Sequence, residues 1–250
     1  MGRVSLRVEL LRFTPDPEEI IAMGAKLCYT ASGLLELKEG IEEQDQGPFI
    51  DKLLDMEHLS PIEHASFTFG VEGVSRSLLA QITRHRIASF SVKSQRYVSE
   101  QQKASEEIFN YIIPPKIAEL GDEAVQEFES QMKTIQSWYD QWLVKLGNQG
   151  EKSNEDARFI LPNGAETKMI VTMNARQLLH FFNLRCCNRA QWEIRALAIE
   201  TLKKCKEVAP NIFRNAGPGC ISGPCPEGKF TCGQAKEMRE KFKNSEIVEE

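Results

Sequence analysis

The sequence lacks the features that mark membrane proteins, secreted proteins and Rossmann-type nucleotide-binding proteins. Its longest apolar runs are a few residues, far below the roughly 20 that a bilayer-spanning helix needs. The first residues alternate charged and apolar side chains and lack the apolar segment of a signal peptide. GxGxxG and Walker A patterns are also missing, so a dinucleotide would be held by side chains. We therefore expect a cytoplasmic protein with no membrane association.

Disulfides and nucleic-acid binding are disfavoured by composition. The 250 residues include seven cysteines, an odd number in a chain of this length, which favours reduced thiols. The net charge of −5 argues against a nucleic-acid partner. Hydrophobic residues make up 41% of the chain, enough for one domain with a substantial core.

Acidic residues are missing from one particular stretch. Between residues 73 and 99 there is no Asp or Glu, while five cations and a histidine occur there. Such a stretch suits a compact anionic ligand, and a nucleotide phosphate fits because arginine offers planar paired donors to phosphate oxygens. The five cations are Arg76, Arg84, Arg86, Lys93 and Arg96.

Hydrophobic periodicity predicts an α+β fold. We expect a single domain with a mostly antiparallel sheet and long helices. Residues 31–48, rich in Gly, Glu and Gln, are predicted to be a loop, and Asn174 is predicted to cap a helix of about ten residues. The longest helix is expected over residues 114–146, where an apolar stripe indicates core or a subunit interface. Strands are predicted at 4–13, 66–72 and 167–173, and further helices at 17–28, 49–58, 75–85, 155–160 and 190–207.

The central motif is the segment 84–96, which has the form RHR-x7-S-x-R. Arg84 and Arg96 stand twelve residues apart, with a histidine and a serine between them. Such a segment can bind two phosphate-bearing ligands side by side. The alternative for such a segment is a solvated basic face.

A second polar pattern lies on the helix predicted after Asn174. Arg176, His180 and Asn183 stand at i, i+4 and i+7, so they share one face of a helix that is otherwise apolar. Arg185 points away from that face and can therefore address a different ligand. Structural hydrogen bonding of Arg176 and His180 within the protein is the alternative.

These motifs resemble those of the flavin-dependent thymidylate synthases. RHR-x7-S-x-R is the signature of that family, and other segments agree with it in order along the chain. The resemblance covers residues 1–215, the expected enzyme domain, and leaves a Gly/Pro/Cys-rich extension and tail at 216–250. The agreeing segments are PIEH at 61–64, ARFILP at 157–162, NAR at 174–176, NLR at 183–185 and AQWE at 190–193.

The resemblance implies the family's fold, a homotetramer with active sites between subunits, and the conversion of dUMP to dTMP. Methylenetetrahydrofolate would supply the carbon, and FAD reduced by NADPH would supply the hydride. Arg185 would act as the catalytic residue that polarises the N3 edge of uracil. Cofactor contacts implied by the family are His64, Ser66, Arg84, His85, Arg86, Asn174, Arg176 and His180. Substrate contacts implied by the family are Gln81, Arg84, Ser94, Gln95, Arg96, Arg158 and Arg185.

Two positions depart from the family pattern. Many members carry Asn-Glu shortly before the motif serine, where this chain has Ser91-Val92-Lys93. The acidic group of the nucleotide site is therefore missing at Val92. The position of His180 is not a histidine throughout the family.

Other kinds of chemistry are less well supported by the residues. Ser94 has no base at an obvious helical offset to activate it, so substrate binding is favoured over nucleophilic attack. Cys186 and Cys187 follow Arg185 but are interpreted as ordinary thiols. Cys220, Cys225 and Cys232 lack a tight pair and an evident fourth ligand, so no metal site is predicted.

Two other functions remain open. One is a non-catalytic nucleotide-binding protein that uses the same arginine-rich phosphate grip. The other is an RNA-binding module, which would need aromatic stacking residues among the cations, and only Phe90 and Tyr97 are available.

Overall fold

The computed structural model describes residues 2–102 and 107–243, and it confirms the α+β class. Strands β1 (Arg7–Phe13), β2 (Ser66–Ser75), β3 (Ser89–Val92) and β4 (Glu166–Asn174) form one sheet in the order β1-β2-β4-β3. Two contacts give the direction of the central pair. Thr68 and Thr172 hydroxyls are 2.9 Å apart, and the Gly73 amide donates to Glu166 at 3.0 Å. From the first contact to the second, the residue number rises along β2 and falls along β4, so these two strands are antiparallel.

Eleven helices occur in the part of the chain that the structure describes. Short 3₁₀ turns occur at Pro61–His64, Arg158–Ile160 and Gly228–Phe230. The helices are α1 (Pro17–Leu27), α2 (Leu34–Glu42), α3 (Gly47–Asp55), α4 (Arg76–Ile82), α5 (Pro115–Ala118), α6 (Asp122–Lys145), α7 (Glu151–Ala157), α8 (Ala175–Arg185), α9 (Trp192–Val208), α10 (Pro210–Phe213) and α11 (Ala235–Lys243). Across the described ranges, every helix is too short or too polar to cross a bilayer.

The chain folds into two compact units, each assembled from three stretches of sequence. The first unit comprises Met1–Arg7, Val71–Arg84 and Phe90–Ile170. The second comprises Val8–Gly70, His85–Ser89 and Val171–Glu250. The predicted boundary after residue 215 stays a prediction.

The first unit has its core along α6. Met132 packs with Phe109, Tyr111, Ile113 and Ala165, all nearly inaccessible to solvent. Further along the same helix, Tyr139 and Leu143 pack against Ala157 of α7 in a second cluster. Burial of these side chains is the main stabilising contribution of this long helix.

The predicted long helix over 114–146 is interrupted. The chain forms α5, then breaks at Gly121, whose φ of +102° is favourable only for glycine, before α6 begins at Asp122. The predicted stripe is also only partly buried, because Trp138 and Trp142 are 48% and 46% exposed.

The second unit corrects the predicted loop over 31–48. Residues 34–42 form α2, because Leu37 and Ile41 are one helical turn apart and both bury against Ala22 of α1. Two buried positions among exposed Glu and Lys side chains are a weak periodic signal, which explains why composition alone indicated a loop.

The cap of α8 agrees with the prediction, whereas the tail contains elements that were not predicted. The Asn174 side chain accepts from the Gln177 amide at 2.8 Å, so the predicted cap of α8 is confirmed. The tail after residue 216 has little regular structure until the 3₁₀ turn at Gly228–Phe230 and helix α11, which sequence reasoning had not predicted.

Candidate active site

The first part of the arginine-rich motif lies where α4 ends. The helix begins at Ser75, whose hydroxyl accepts from the Leu78 amide at 3.1 Å, and it ends at Ile82. The Arg84 amide still bonds to the Gln81 carbonyl at 3.3 Å, so Arg84 lies just beyond the last turn. The predicted helix over 75–85 is therefore shorter, and its end presents an exposed Arg84.

His85 is the most enclosed member of the motif. It is only 5% exposed, and its ring packs edge-on against Phe181 with centroids 5.0 Å apart. Arg185 Nε donates to His85 Nε2 at 3.1 Å, and the Gln177 side-chain amide lies 3.3 Å from Nδ1. His85 therefore belongs to a row of packed aromatic side chains that continues through Phe181 to Phe182.

This enclosure determines the charge of His85. Burial, the positive Arg185 and the nearby His180 together lower the pKa of His85 to about 4, with burial the largest cause. The imidazole is therefore neutral at pH 7. Because a guanidinium can only donate, Nε2 accepts, and the single ring proton belongs on Nδ1, which donates to Gln177 when the side-chain amide turns its oxygen toward the ring.

The polar stripe of α8 lines an open cavity of about 700 Å³. Arg176, His180 and Asn183 all contribute to its wall, as their spacing predicts, and Asn174 joins them from the cap position. The apolar part of the wall comes from Leu59, Ile87 and Leu179, and the remaining polar lining residues are Glu63 and Gln177.

Arg176 has a partner within the second unit. Its guanidinium forms an ion pair with Glu63, and both side chains are about half exposed. An exposed ion pair of this kind contributes little to stability, so the arginine can exchange its partner for a ligand anion at small cost.

His64 and Ser66 lie beside this region but outside the cavity wall, as far as the described residues go. The exposed His64 ring lies over Gly24 of α1, where an added Cβ would approach its Cδ2 to 2.8 Å. Ser66 starts β2, and its amide donates to the Thr14 hydroxyl at 2.9 Å. Arg86 is exposed and directly precedes the lining residue Ile87.

In the first unit, the predicted substrate residues lie on α4, on the turn after β3 and near α7. The Ser94 hydroxyl accepts from the amides of Arg96 at 3.1 Å and Tyr97 at 3.3 Å, so it shapes this turn. Gln95 is buried, whereas Gln81 is half-buried.

Arg96 is held by two carboxylates. Its Nη2 lies 2.7 Å from Glu151 and its Nε lies 2.6 Å from Glu155. Arg158 stands on the same stretch of chain, with Nε donating to the Glu155 carbonyl at 3.1 Å. A phosphate at Arg96 must therefore displace or share these acidic partners.

Arg76 is a residue that sequence reasoning did not assign to the site. It is half-buried, and its Nη1 reaches the Lys93 carbonyl at 3.4 Å and the Thr167 hydroxyl at 3.3 Å. Burial lowers the pKa of Arg76, and the nearby Arg158 lowers it further. Two guanidiniums that repel each other favour an anion between them. The only sequence signal was the acid-free stretch itself.

Cys186, directly after Arg185, is poorly placed for nucleophilic chemistry. Cys186 is fully buried, and burial raises the pKa of its thiol, so it stays protonated. This agrees with the interpretation of Cys186 as an ordinary buried thiol.

Comparison with known proteins identifies the family. The family described as "Thymidylate synthase complementing protein" matches residues 9–211. A flavin-dependent thymidylate synthase of Geobacter sulfurreducens is 50% identical over 242 residues, covering 97% of this chain and 100% of that protein. The Clostridium tetani relative of the same name is 46% identical over 246 residues, covering 94% and 96%. The Pyrococcus horikoshii relative is 40% identical over 245 residues, covering 96% and 98%.

A solved structure supports the fold. The crystal structure of a UMP/dUMP methylase, PolB from Streptomyces cacaoi bound with 5-Br UMP, superimposes with a TM-score of 0.66. The alignment covers 85% of this chain and 94% of the other at 22% identity. Since the family match spans most of the chain and three relatives align along nearly their whole length, this protein belongs to the flavin-dependent thymidylate synthase family.

Proposed function

We propose that this protein methylates dUMP to dTMP, with methylenetetrahydrofolate as carbon donor and FAD as the flavin. The observation that carries the proposal is the pairing of Arg185 with a buried, neutral His85 beside the cavity lined by Arg176 and His180. Family membership supplies the reaction class, and these residues supply the groups that it needs.

The residues of the second unit fit a flavin dinucleotide. A cavity of about 700 Å³ lies within the roughly 300–1,000 Å³ typical of ligand sites. Arg176 offers paired donors for a pyrophosphate, and Asn174 and Asn183 offer amides for hydroxyl groups and ring edges. Leu59, Ile87 and Leu179 provide apolar contacts for an aromatic ring. When bound there, FAD supplies the reducing hydride, with NADPH as the proposed reductant.

Arg185 is the proposed activating residue for uracil. Electron withdrawal at the N3/O4 edge stabilises the negative charge that develops on the ring as C5 and C6 react. A neutral His85 accepting from Nε orients the guanidinium without neutralising its charge. A guanidinium presents a planar pair of terminal nitrogens, which is the geometry that suits a uracil edge.

The phosphate of dUMP is proposed to bind residues of the first unit. Arg96 and Arg158 supply the charge, and Ser94 shapes the turn that carries Arg96. Arg76 extends the cationic group, because Arg158 lies close enough to lower the Arg76 pKa in addition to the larger effect of burial. The remaining proposed contacts are Gln81, Arg84 and Gln95.

Assembly and location are also proposed. A homotetramer with active sites between subunits is supported by α6, where Trp138, Trp142 and Val144 expose large apolar surface. All seven cysteines are free thiols, in keeping with a reducing cytoplasm.

Product formation tests the proposal. Purified protein is incubated with dUMP, methylenetetrahydrofolate and NADPH, with and without added FAD, and dTMP is measured by chromatography. We expect a yellow protein and FAD-dependent dTMP formation. Tight dUMP binding by a flavin-free protein that forms no dTMP would instead support the non-catalytic nucleotide-binding function.

A further inference from the structure

Four of the seven cysteines meet at one small cavity in the second unit. Cys187 lies just beyond the end of α8, and Cys220, Cys225 and Cys232 come from the irregular segment 216–233. All four line a cavity of about 90 Å³. From sequence, the three tail cysteines lacked a fourth partner. The fold provides that partner from 33 residues earlier in the chain (220 − 187).

The remaining cysteines behave differently and serve as internal comparisons. Cys28 is exposed on the C-cap of α1, whereas Cys186 and Cys205 are buried, with thiol pKa values raised by burial. They do not belong to the lining of this cavity, as far as the described residues go.

The segment that carries three of the thiols has few elements of its own to hold it. Its turns follow the cysteines closely: the Gly228 amide bonds to the Cys225 carbonyl at 3.3 Å, and Gly233, with φ of +80°, directly follows Cys232. Tight glycine turns next to cysteine let the backbone bring several cysteines to the wall of one cavity. Most of residues 222–233 are exposed, and an irregular segment that buries little apolar surface gains most from a cross-link.

Cations border the cluster. Arg239 Nε donates to the Cys220 carbonyl at 2.8 Å, and its Nη2 donates to the Gly223 carbonyl at 2.6 Å. Arg189 lines the cavity and donates to the Phe230 carbonyl at 2.6 Å. Both guanidiniums would offset the negative charge of a thiolate cluster.

We propose that Cys187, Cys220, Cys225 and Cys232 form a four-thiolate zinc site that fastens the C-terminal extension to the end of α8. Each thiol loses its proton to solvent and bonds to Zn²⁺ through sulfur, so the centre carries a net charge of about −2. Zinc is the ion that four protein thiolates most often hold as a structural centre.

Binding requires a local adjustment. Within the described chain, no three His, Cys, Asp or Glu side chains stand at metal-ligand spacing, so the thiols must rotate inward to reach sulfur–zinc distances of about 2.3 Å. A volume of about 90 Å³ accommodates the ion and this rotation. One backbone hydrogen bond already joins the two parts, from the Gly219 amide to the Asn183 carbonyl at 3.2 Å.

The experiment measures zinc and thiols in the full chain. Protein made in zinc-supplemented medium without an affinity sequence is desalted and analysed by elemental mass spectrometry. We expect about one zinc per chain, and alkylation of the native protein that modifies at most three of the seven cysteines (7 − 4). After denaturation with a chelator, all seven should react.

Single substitutions locate the site. Cys225→Ser and Cys232→Ser should each lower the zinc content at least tenfold, because a serine hydroxyl is a poor zinc ligand. Cys28→Ser and Cys205→Ser, the exposed and buried comparisons, should retain it. Bound flavin in each variant reports whether the remainder of the chain is folded.

Measurements on the wild-type protein are enough to contradict the proposal, so the test does not depend on whether the variants fold. Less than a tenth of a zinc per chain, with Cys225 and Cys232 open to alkylation in the native protein, contradicts it. A disulfide within the cluster, or iron with acid-labile sulfide, also contradicts it. Because none of these measurements uses turnover, they stand apart from the test of dTMP synthesis.

Discussion

Arg185 Nε donates to His85 Nε2 across 3.1 Å, which joins the last residue of α8 to the centre of the arginine-rich motif. The two residues were expected to contact different ligands, His85 the flavin and Arg185 the uracil. If the proposed roles hold, their hydrogen bond gives a physical route by which bound flavin influences the orientation of the Arg185 guanidinium. It also explains why a histidine, and not a third arginine, stands between Arg84 and Arg86.

Stability should fall in mild acid because of His85. Its folded pKa of about 4 lies below the ordinary value of 6.5, so the unfolded chain binds a proton more readily between these two values. The stabilising contribution is present above pH 6.5 and is lost as pH falls toward 4, by up to about 3 kcal/mol. Urea unfolding at pH 7 and pH 5 measures this loss.

The matched variants for this experiment are His85→Gln and His58→Gln. His85→Gln should flatten the dependence of unfolding free energy on pH, since glutamine does not titrate, whereas His58→Gln should keep it. An unchanged pH slope in His85→Gln would assign the acid sensitivity to other groups.

Flavin retention should depend on Arg176. Loss of a charge-assisted contact to a pyrophosphate costs about 1.5–3 kcal/mol, so Arg176→Ala should weaken FAD binding by roughly 10- to 100-fold. The control is Arg214→Ala, which removes another exposed arginine of the same unit that is paired with a carboxylate, Asp51. Equal FAD affinity in the two variants would remove Arg176 from the cofactor site.

Ser94 should assist binding without attacking the substrate. Its hydroxyl accepts from the Arg96 and Tyr97 amides, so Ser94→Ala loosens the turn that positions Arg96. We expect measurable turnover with a KM for dUMP raised about tenfold, the effect of losing roughly 1.4 kcal/mol of binding. Complete loss of turnover at unchanged dUMP affinity and flavin content would revive the nucleophile interpretation.

Substitution by alanine should have opposite effects on stability at two glycines. At Gly73, with φ of +70°, an added Cβ would lie 1.8 Å from the Ser5 carbonyl oxygen. Gly73→Ala should therefore destabilise the protein by at least about 3 kcal/mol. Gly40 lies within α2 with nothing near its Cβ position, so Gly40→Ala should stabilise by about 0.5–1 kcal/mol. Thermal unfolding of both variants checks the opposite signs.

Strong local signals in the sequence predicted their elements well. The alternation around Val171 predicted β4, and the asparagine before Ala175 predicted the cap of α8, since each depends on neighbouring residues alone. The stripe of Arg176, His180 and Asn183 was also predicted, because helical spacing places these residues on one face regardless of the remaining fold.

Features that depend on distant contacts were not predicted. Burial of His85 results from Phe181 and Gln177, more than 90 residues along the chain. Helix α2 forms because Ala22 offers a surface to two of its side chains. The fold also brings Cys187 to the same cavity as the tail cysteines, which the spacing of the cysteines in the sequence does not predict.

The role of Arg185 is tested most directly by tritium release from [5-³H]dUMP, with methylenetetrahydrofolate, NADPH and FAD present. Wild-type protein should release tritium as dTMP forms. Arg185→Ala should be about 100-fold slower, since a contact that strengthens in the transition state contributes roughly 3 kcal/mol. Arg185→Lys should recover only part of the rate, because lysine lacks the planar pair of donors.

Arg12→Ala, which removes an exposed arginine of β1, should match the wild type in that assay, and each variant is checked for bound FAD. A wild-type protein that releases no tritium under these conditions contradicts the proposed activity. An Arg185→Ala variant within threefold of the wild type contradicts the role of Arg185 and transfers it to Arg158 or Arg96.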